Sequence, residues 1–512
     1  MSIRWTRLGM LLAITAIGGW LALALGAWIF VKYHRGFSEV RYVDLVFPQR
    51  WPEYRRRAGD FYIARAEELL REGDAAAALA HLRAGVAKSP ANASGRVLLA
   101  RFYLANRRPD LARDILFDGL RHQPANADYL RTTLSFLLEF QEDERLLAVT
   151  AGILAHPETS GPAGLTVAAT FAATAAYYRG YFDRAEDLVE QYHLRNTAAG
   201  DTLLARIDWE RGYPELALML LKSHLAQQAD DNAARALLAG YYRDLGQSQE
   251  WESAVVENIA NDPLSAAPRI EYLHLLQARG DSARIARETG SFLAQFAHDT
   301  PALLLLGDFA ASSGRPALAR QVQQILAARH EDTGAPALMV AESLVAAGDY
   351  RAALDLIDAD ARQYPEWSGQ FAAVFQGLQA VALCGLGKPD EARLHLDHLL
   401  AQKNLRADNL VAVSRRLASL GARDLALFAL NRAVETDPLN QTALGDLIRL
   451  ELDTGSLDLL PAHLDRFIRA RRPSHELLAR AYATLGSDHQ LFLPRQRELL
   501  ASLRSALAAG RP

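Results

Sequence analysis

The most constraining feature of the sequence is an interval of 34 residues that recurs through its middle. Gly246, Gly280, Gly314 and Gly348 are each separated from the next by that interval. Around each glycine, an apolar run with helical spacing is followed by a break and a second apolar helical run, often closed by a proline. One helix pair cannot bury its apolar faces alone, so pairs repeated at a fixed interval stack on one another. The sequence therefore predicts an all-α solenoid of helix-turn-helix repeats.

The residues at fixed places in each repeat have physical reasons. A glycine after the first helix suits the left-handed conformation that often ends a helix, which costs glycine little. A small residue five positions later, such as Ala319 after Gly314 or Ala353 after Gly348, lets the second helix approach the first closely. A proline near the end of the unit, such as Pro263, stops the second helix because it has no N–H group.

The pattern predicts about twelve repeats over 59–474. The first two units, about 59–92 and 93–126, end in the same four-residue sequence, Pro-Ala-Asn-Ala. Irregular spacing near position 160, where 159–162 reads as a loop, and an insertion near Trp367 to Phe371 predict local changes of curvature. The non-repeating stretch 475–512 is predicted to form capping helices, the second starting at Pro494-Arg495, because a terminal repeat otherwise exposes its stacking face.

The chain resembles tetratricopeptide-repeat proteins over about 59–474. It departs from that family by lacking an early tryptophan in nearly every unit, although Tyr62 holds that place in the first. The resemblance implies a right-handed superhelix whose concave groove, lined mainly by first helices, binds extended or helical segments of partner proteins; it leaves the partner open. Besides the closing prolines, the resemblance is carried by small residues and aromatics of the first helices: Ala100, Ala239, Gly307, Ala341, Ala380, Tyr103 and Tyr242.

The N-terminus carries an uncharged apolar run of 24 residues, 8–31. About 20 apolar residues suffice to cross a bilayer as a helix, so the run predicts a transmembrane helix between a tail at 1–7 and a juxtamembrane linker at 32–58. A cleaved signal peptide, cut after Ala22-Leu23-Ala24, is the alternative. The run continues well past that cut and is longer than the usual apolar region of a signal peptide, which favours an uncleaved anchor. A lipoprotein is excluded, because no cysteine lies near the segment.

The two flanks of this helix carry nearly balanced positive charge. Arg4 and Arg7 favour a cytoplasmic N-terminus, whereas Lys32, Arg35 and Arg41 follow the helix. We expect a single-pass protein of a bacterial inner membrane with its repeats in the periplasm; the bacterial source is inferred from a composition rich in alanine and arginine. The aromatic and basic residues of 36–58 are predicted to pack on the first repeat, with contact to anionic lipid head groups as a compatible alternative.

The composition and motifs give little sign of chemistry. A net charge of −4 and a pI near 6.4 give no reason to expect nucleic acid. A single cysteine, Cys384, excludes an internal disulfide and a thiolate zinc cluster, and is expected to pack as a small hydrophobe. His395 and His398 have a spacing that can hold a metal, but no third ligand is linked to them, and we expect them to be solvated. No enzyme activity, metal or cofactor is therefore predicted; a metal-dependent enzyme using this histidine pair is the alternative of another class.

Specificity is expected in the groove. The geometry of the resembled family places particular first-helix positions on the concave surface, where they would form a strip that is aromatic and basic at one end and acidic at the other. A partner segment with acidic residues toward one end and basic residues toward the other suits such a strip. The alternative is that the aromatic residues pack between repeats and the charges are solvated. These nine positions, called the groove strip below, are Tyr177, Tyr178, Arg206, Trp209, Arg243, His274, Gln277, Asp308 and Glu342.

Together these features predict a membrane-anchored scaffold for protein-protein interactions. We expect it to serve a bacterial envelope machinery, such as polysaccharide export, secretion or pilus assembly, or a cofactor-insertion complex. A regulatory adaptor of envelope biosynthesis whose repeats face the cytoplasm is the alternative.

Overall fold

The computed structural model describes residues 5–363, 371–402, 405–487 and 496–509. These ranges form 28 α-helices, one π-helical turn and one 3₁₀ turn, and they contain no strand. The predicted all-α class is confirmed. The helices are α1 Trp5–Ile29, α2 Tyr42–Val46, α3 Trp51–Arg71, α4 Ala75–Lys88, α5 Ala93–Ala105, α6 Pro109–Leu120, α7 Ala127–Glu139, α8 Asp143–Ala155, α9 Pro157–Tyr178, α10 Phe182–Gln191, α11 Ala198–Glu210, α12 Pro214–Gln227, α13 Asn232–Asp244, α14 Ser248–Asn261, α15 Ala267–Ala278, α16 Ser282–Phe296, α17 Thr300–Ser312, α18 Pro316–Ala328, α19 Gly334–Ala346, α20 Tyr350–Gln363, α21 Ala372–Gly385, α22 Pro389–Leu400, α23 Ala407–Ser419, α24 Arg423–Thr436, α25 Gln441–Thr454, α26 Leu460–Ile468, α27 His475–Leu485 and α28 Gln496–Ala509.

The turn inside each helix pair is left-handed. The four glycines that define the repeat interval have φ between 64° and 82°. In the second and third pairs the same place is taken by Arg107 and Gln141, and both keep φ at 56°. A residue with a Cβ pays roughly 1–2 kcal/mol for this conformation. Packing of the two helices on each side therefore imposes the turn where the sequence does not favour it.

Helix starts follow two chemical patterns. First helices are commonly capped by a short polar side chain that accepts from a backbone N–H of the first turn, which otherwise has no partner. Several second helices instead begin with proline, whose missing N–H is not needed at that position. The caps are Asn92, Asn126, Asp231, Asp299 and Asn440, and the prolines are Pro109, Pro214, Pro316 and Pro389.

The close approach of paired helices is made at alanines. Eight second helices between α4 and α24 carry an alanine near their start, at the position where the sequence predicts a small residue. Each of these alanines is at most 1% exposed. A larger side chain there forces the two backbones apart, at a cost of roughly 1–3 kcal/mol. These alanines are Ala78, Ala112, Ala185, Ala217, Ala319, Ala353, Ala392 and Ala426.

The chain divides into two compact units. Unit 1 is Met1–Ala176 with Asp183–Leu194, and unit 2 is Tyr177–Phe182 with Arg195–Pro512. Unit 1 has an apolar core around Leu82 and Leu99. Unit 2 has longer apolar cores that continue from repeat to repeat and extend to Leu503 of α28. Burial of Leu503 gives α28 an apolar contact face at the end of the array.

Three boundaries differ from those expected. The first helix of the first repeat, α3, begins at Trp51 rather than near 59, because Pro52 starts it and Tyr54 packs near Phe37. The expected linker at 32–58 therefore contains α2 and the first turns of α3. The expected loop at 159–162 is instead helical on both sides of a break at Gly161. The insertion predicted near Trp367 to Phe371 and the predicted helix start at Pro494-Arg495 lie outside the described residues, apart from Phe371 itself.

The N-terminal apolar run forms one continuous helix. It continues α1 through a π-helical turn, Phe30–His34. In the part of the chain that the structure describes, Leu12–His34 is the segment long and apolar enough to cross a membrane, a test that a signal sequence also passes.

Candidate partner-binding grooves

The groove strip lies on successive first helices of unit 2. Tyr177 and Tyr178 end α9, and the other positions follow on α11, α13, α15, α17 and α19. A 34-residue interval returns each first helix to the same orientation relative to its neighbour, so side chains at equivalent positions line up across the repeats. The structure covers the aromatic end of the strip, packs or pairs its middle, and leaves Asp308 exposed at its acidic end.

The aromatic end is covered by the protein's own chain. Arg472, in the connection between α26 and α27, lies 4.6 Å from the ring centre of Tyr177 and donates to its hydroxyl. Arg471 lies 4.3 Å from the ring centre of Tyr178. Arg472 also forms an ion pair with Glu210 of α11. Tyr177 was expected on an open groove surface but is only 4% exposed, because these arginines cover it.

Burial controls the ionisation of this cluster. It raises the pKa of Tyr177 and lowers that of Arg472, because removal from water disfavours each charged form. The charge of Arg206 partly offsets the rise for Tyr177, because it favours the phenolate, and it lowers the pKa of Arg472 further, because it opposes the guanidinium. The aromatic end is therefore a site that holds a guanidinium between tyrosine rings and a carboxylate, despite a like charge beside it.

The middle of the strip is used for packing and local pairing. Trp209 stacks on Tyr241 of α13, with ring centres 3.9 Å apart and planes 4° apart. Packing between repeats was the alternative expectation for Trp209, and this contact matches it. Arg243 is exposed and its Nε lies 3.2 Å from a carboxylate oxygen of its neighbour Asp244. Trp209 therefore packs between repeats, whereas Arg243 is exposed and pairs within its own helix.

The acidic end brings together side chains from three consecutive repeats. Burial raises the pKa of Asp308, the nearby carboxylate of Glu342 raises it further, and His274 opposes them. Glu342 also pairs with Arg416 of α23. His274 meets Phe309 edge-on at 5.1 Å between ring centres. Gln277, one turn from His274, accepts a hydrogen bond from Arg315 at 2.7 Å. Two carboxylates thus share this surface, and the charge of Glu342 disfavours ionisation of Asp308.

A second groove lies in unit 1 and was not identified from the sequence. It is a cleft of about 620 Å³ on the first helices α3, α5 and α7. Two of its charged members lie one repeat interval after another lining residue: Arg101 lies 34 residues after Glu67, and Asp128 lies 34 residues after Ser94. The interval alone could have located it, had equivalent positions been compared in the first three repeats. The remaining lining residues are Leu70, Arg71, Ala93, Val97, Leu98, Asn126, Tyr129 and Thr132.

His395 and Cys384 are partly buried, whereas His398 is exposed. His395, expected to be solvated, is half-buried with its Nδ1 2.8 Å from the amide oxygen of Gln376 on α21. Burial lowers the pKa of His395, and the nearby His398 lowers it further. Burial also raises the pKa of the Cys384 thiol, which disfavours the reactive thiolate. Within the described residues, no three His, Cys, Asp or Glu side chains are grouped to hold a metal ion.

Comparison with known proteins identifies the repeats. A family model described as tetratricopeptide repeat matches residues 69–133, and no curated protein matches the sequence. The type IV pilus biogenesis factor PilW is 20% identical over 40% of this chain and 94% of its own, with a TM-score of 0.32. Naa15/Naa10 bound to HypK-THB is 14% identical over 97% of this chain and 79% of that one, with a TM-score of 0.31. A tetratricopeptide repeat protein from Parabacteroides merdae is 14% identical over 53% of this chain and 98% of its own, with a TM-score of 0.30. The family match shows tetratricopeptide repeats at residues 69–133, and helix pairs recur at the same interval beyond them, so the chain has a tetratricopeptide-type solenoid fold with one apolar helix at its N-terminus.

Proposed function

We propose that this protein is a membrane-anchored scaffold whose repeats bind a segment of a partner protein across the acidic end of the groove strip. The observation that carries the proposal is the placement of Asp308 and Glu342 at equivalent positions of consecutive first helices, where burial and then the charge of Glu342 raise the pKa of Asp308. Holding two carboxylates close together on a partly desolvated surface is unfavourable in the isolated protein. A cationic side chain of a partner offsets that cost when it binds between them.

The chemistry of the strip specifies the partner segment. A lysine or arginine of the segment pairs with Asp308 and Glu342, where Arg416 now supplies the only positive partner described for Glu342. Toward the aromatic end, the exposed Arg206 favours an acidic residue of the segment. The polarity is that expected from the sequence: basic residues over one end and acidic residues over the other.

The setting of the scaffold is part of the same proposal. The helix α1 anchors the protein in a bacterial inner membrane with its N-terminus in the cytoplasm and its repeats in the periplasm, where they serve assembly of an envelope machinery. Support comes from the length and apolar character of Leu12–His34 and from the positive charge of Arg4 and Arg7. A topology reporter fused after Pro512 tests the orientation. Cytoplasmic activity of that reporter would replace the periplasmic assembly role with that of a cytoplasm-facing adaptor.

The groove is tested by charge removal at constant size. We would crosslink and affinity-purify the full-length protein from membranes, beside the double variant Asp308→Asn/Glu342→Gln. The matched control is Glu257→Gln/Asp355→Asn, which removes one exposed glutamate and one exposed aspartate from second helices of unit 2. We expect defined partners to be captured by the wild type and the control and lost by the groove variant. Equal capture by all three proteins would show that this surface does not bind them.

A further inference from the structure

The segment after the apolar helix folds back along it. The indole Nε1 of Trp28 donates to the carbonyl of Val40 at 3.0 Å, and the indole Nε1 of Trp20 donates to the carbonyl of Val46 at 2.9 Å. Trp28, near the end of α1, thus bonds to the start of the segment, and Trp20, two turns earlier in α1, bonds to its end. The stretch 40–46, including α2, therefore runs antiparallel to the second half of α1.

The first repeat helix then runs back up beside α1. At its start, the ring of Trp51 lies 6.0 Å from that of Trp20. Further along, the hydroxyl of Tyr62 accepts a hydrogen bond from Arg35 at 2.8 Å. The second half of α1, the stretch 40–46 and the first half of α3 thus form a small bundle. Its lower end lies at Trp20 and Trp51, and its upper end at Arg35 and Tyr62.

The position of this bundle along α1 determines how deep its lower end lies in the membrane. The part of α1 before Trp20 that is free of these contacts, about 15 residues, spans roughly 22 Å at 1.5 Å per residue. The hydrocarbon core of a bilayer is about 30 Å thick, so this part alone does not cross it. The lower end of the bundle has to enter the membrane surface for α1 to span. Its outward side chains fit that position: Val43, Phe47 and Trp51 are 39%, 50% and 43% exposed.

An apolar cleft opens at that lower end. It has a volume of about 430 Å³ and lies between α1, α2 and α3. Its walls are apolar or aromatic except at Arg55, which stands one turn into α3. An apolar space of this kind is poorly hydrated, and a hydrocarbon chain fills it favourably when it lies at the membrane surface. The walls are Trp20, Leu23, Ala24, Ala27, Leu45, Trp51, Tyr54 and Arg55.

Of the four arginines at 50–57, two lie near a carboxylate and two do not. Arg57 pairs with the buried carboxylate of Asp44 at 2.8 Å, and Arg50 lies 3.6 Å from the same carboxylate. Arg55 and Arg56 are exposed, and neither has an acidic partner within the described residues. The guanidinium of Arg55 lines the apolar cleft, and Arg56 follows it in α3. Cationic groups at an apolar space match the two parts of an anionic phospholipid, a phosphate and an acyl chain.

We propose that this cleft binds one acyl chain of an anionic phospholipid, whose phosphate is held by Arg55 and Arg56. The inference rests on the membrane placement of α1 in the proposed function, but it is independent of what the repeats bind. The bound lipid fills the space between the anchor and the first repeat. It therefore fixes the direction in which the repeat array leaves the membrane.

The test is lipid retention by the full-length protein. The protein is extracted from membranes in mild detergent, and native mass spectrometry counts bound phosphatidylglycerol and phosphatidylcholine supplied in equal amounts. We expect the wild type to retain one phosphatidylglycerol. Arg55→Gln/Arg56→Gln should lower the preference for the anionic lipid by roughly 10- to 30-fold. Each arginine near a membrane surface contributes roughly three- to fivefold to binding of an anionic lipid, and the two contributions multiply. Ala27→Phe, at an exposed position of the wall, fills the cleft and should abolish retention of both lipids.

The controls separate the possible failures. Arg287→Gln/Arg320→Gln removes two exposed arginines from second helices of unit 2 and should leave retention unchanged. Equal preference in all variants, or retention that survives Ala27→Phe, would overturn the inference. Displacement of the lipid by millimolar inorganic phosphate would show a phosphate site rather than a lipid site, and would overturn it too. If the protein does not sediment with membranes at all, the membrane placement in the proposed function fails first and this inference fails with it.

Discussion

His224 should stabilise unit 2 in a pH-dependent way. It is 3% exposed in α12, and its two ring nitrogens lie 2.9 Å from a carboxylate oxygen of Asp201 on α11 and 2.9 Å from one of Asp231. Asp231 also caps α13 by accepting from the backbone N–H groups of Ala233 and Ala234. With both nitrogens facing carboxylates, the protonated imidazolium is the form that donates at both ends. One side chain thus ties together three consecutive helices.

The sign of the pH dependence follows from the pKa shifts. Burial by itself lowers the pKa of His224, but the hydrogen bonds to Asp231 and Asp201 outweigh it, and the net pKa is raised. Its contribution is therefore complete below the ordinary histidine value of about 6.5 and is lost as pH rises through the folded-state value. The pKa of Asp231 is lowered: burial opposes this, but its backbone and His224 hydrogen bonds prevail. Its contribution is present above the ordinary aspartate value and is lost only in acid.

The perturbation is His224→Gln, which keeps a donor for one carboxylate and removes the charge. One charge-assisted hydrogen bond contributes about 1.5–3 kcal/mol, so we expect α12 and α13 to lose about 2 kcal/mol of local stability at pH 6. That loss corresponds to roughly 30-fold faster hydrogen exchange. At pH 9, after correction for intrinsic rates, the difference should largely disappear. Hydrogen exchange is the suitable assay because repeat arrays open locally.

His298→Gln, at an exposed histidine two repeats further on, provides the control. It should exchange like the wild type at both pH values. The reasoning would be refuted by a His224→Gln effect that is equally large at pH 6 and pH 9, because a neutral imidazole would then account for the stabilisation. It would also be refuted by a variant that is indistinguishable from the wild type at pH 6.

Two further stability predictions follow from the turns and from the groove. Arg471→Gln/Arg472→Gln should lower the local stability of this end of the strip by about 1–3 kcal/mol, because it removes two cation–π contacts and a partly buried ion pair. The loss should appear as faster hydrogen exchange at 177–178. Exchange no faster than in the wild type would show that the two arginines do not hold this end of the strip. Gly246→Ala should cost about 1–2 kcal/mol for a left-handed alanine, since its new Cβ meets nothing within 4 Å. Gly314→Ala should cost more, because its Cβ comes within 3.1 Å of the backbone nitrogen of Ala347. Equal melting temperatures for the two alanine variants would contradict this close approach.

Much of the repeat fold could be predicted from sequence because its signals are local. A glycine that must take positive φ, an alanine at a close crossing and a proline that ends a helix each act within a few residues, and the 34-residue interval multiplies them. The structure accordingly has the predicted helix pairs over nearly the whole chain. Arg107 and Gln141 mark the limit of that reasoning, because they adopt the turn without its signal.

The candidate sites depended on tertiary structure. Tyr177 is covered by Arg472 almost 300 residues later, and Glu342 pairs with Arg416 across more than two repeats. Contacts at such separations depend on the small rotation between neighbouring repeats, which adds up along the array and leaves no trace in any one repeat. The return of 40–46 along α1 has a similar origin, since two indole hydrogen bonds to backbone carbonyls determine it. The sequence by itself determined the helix pairs and their stacking; the tertiary structure decided which surfaces the stacking leaves open.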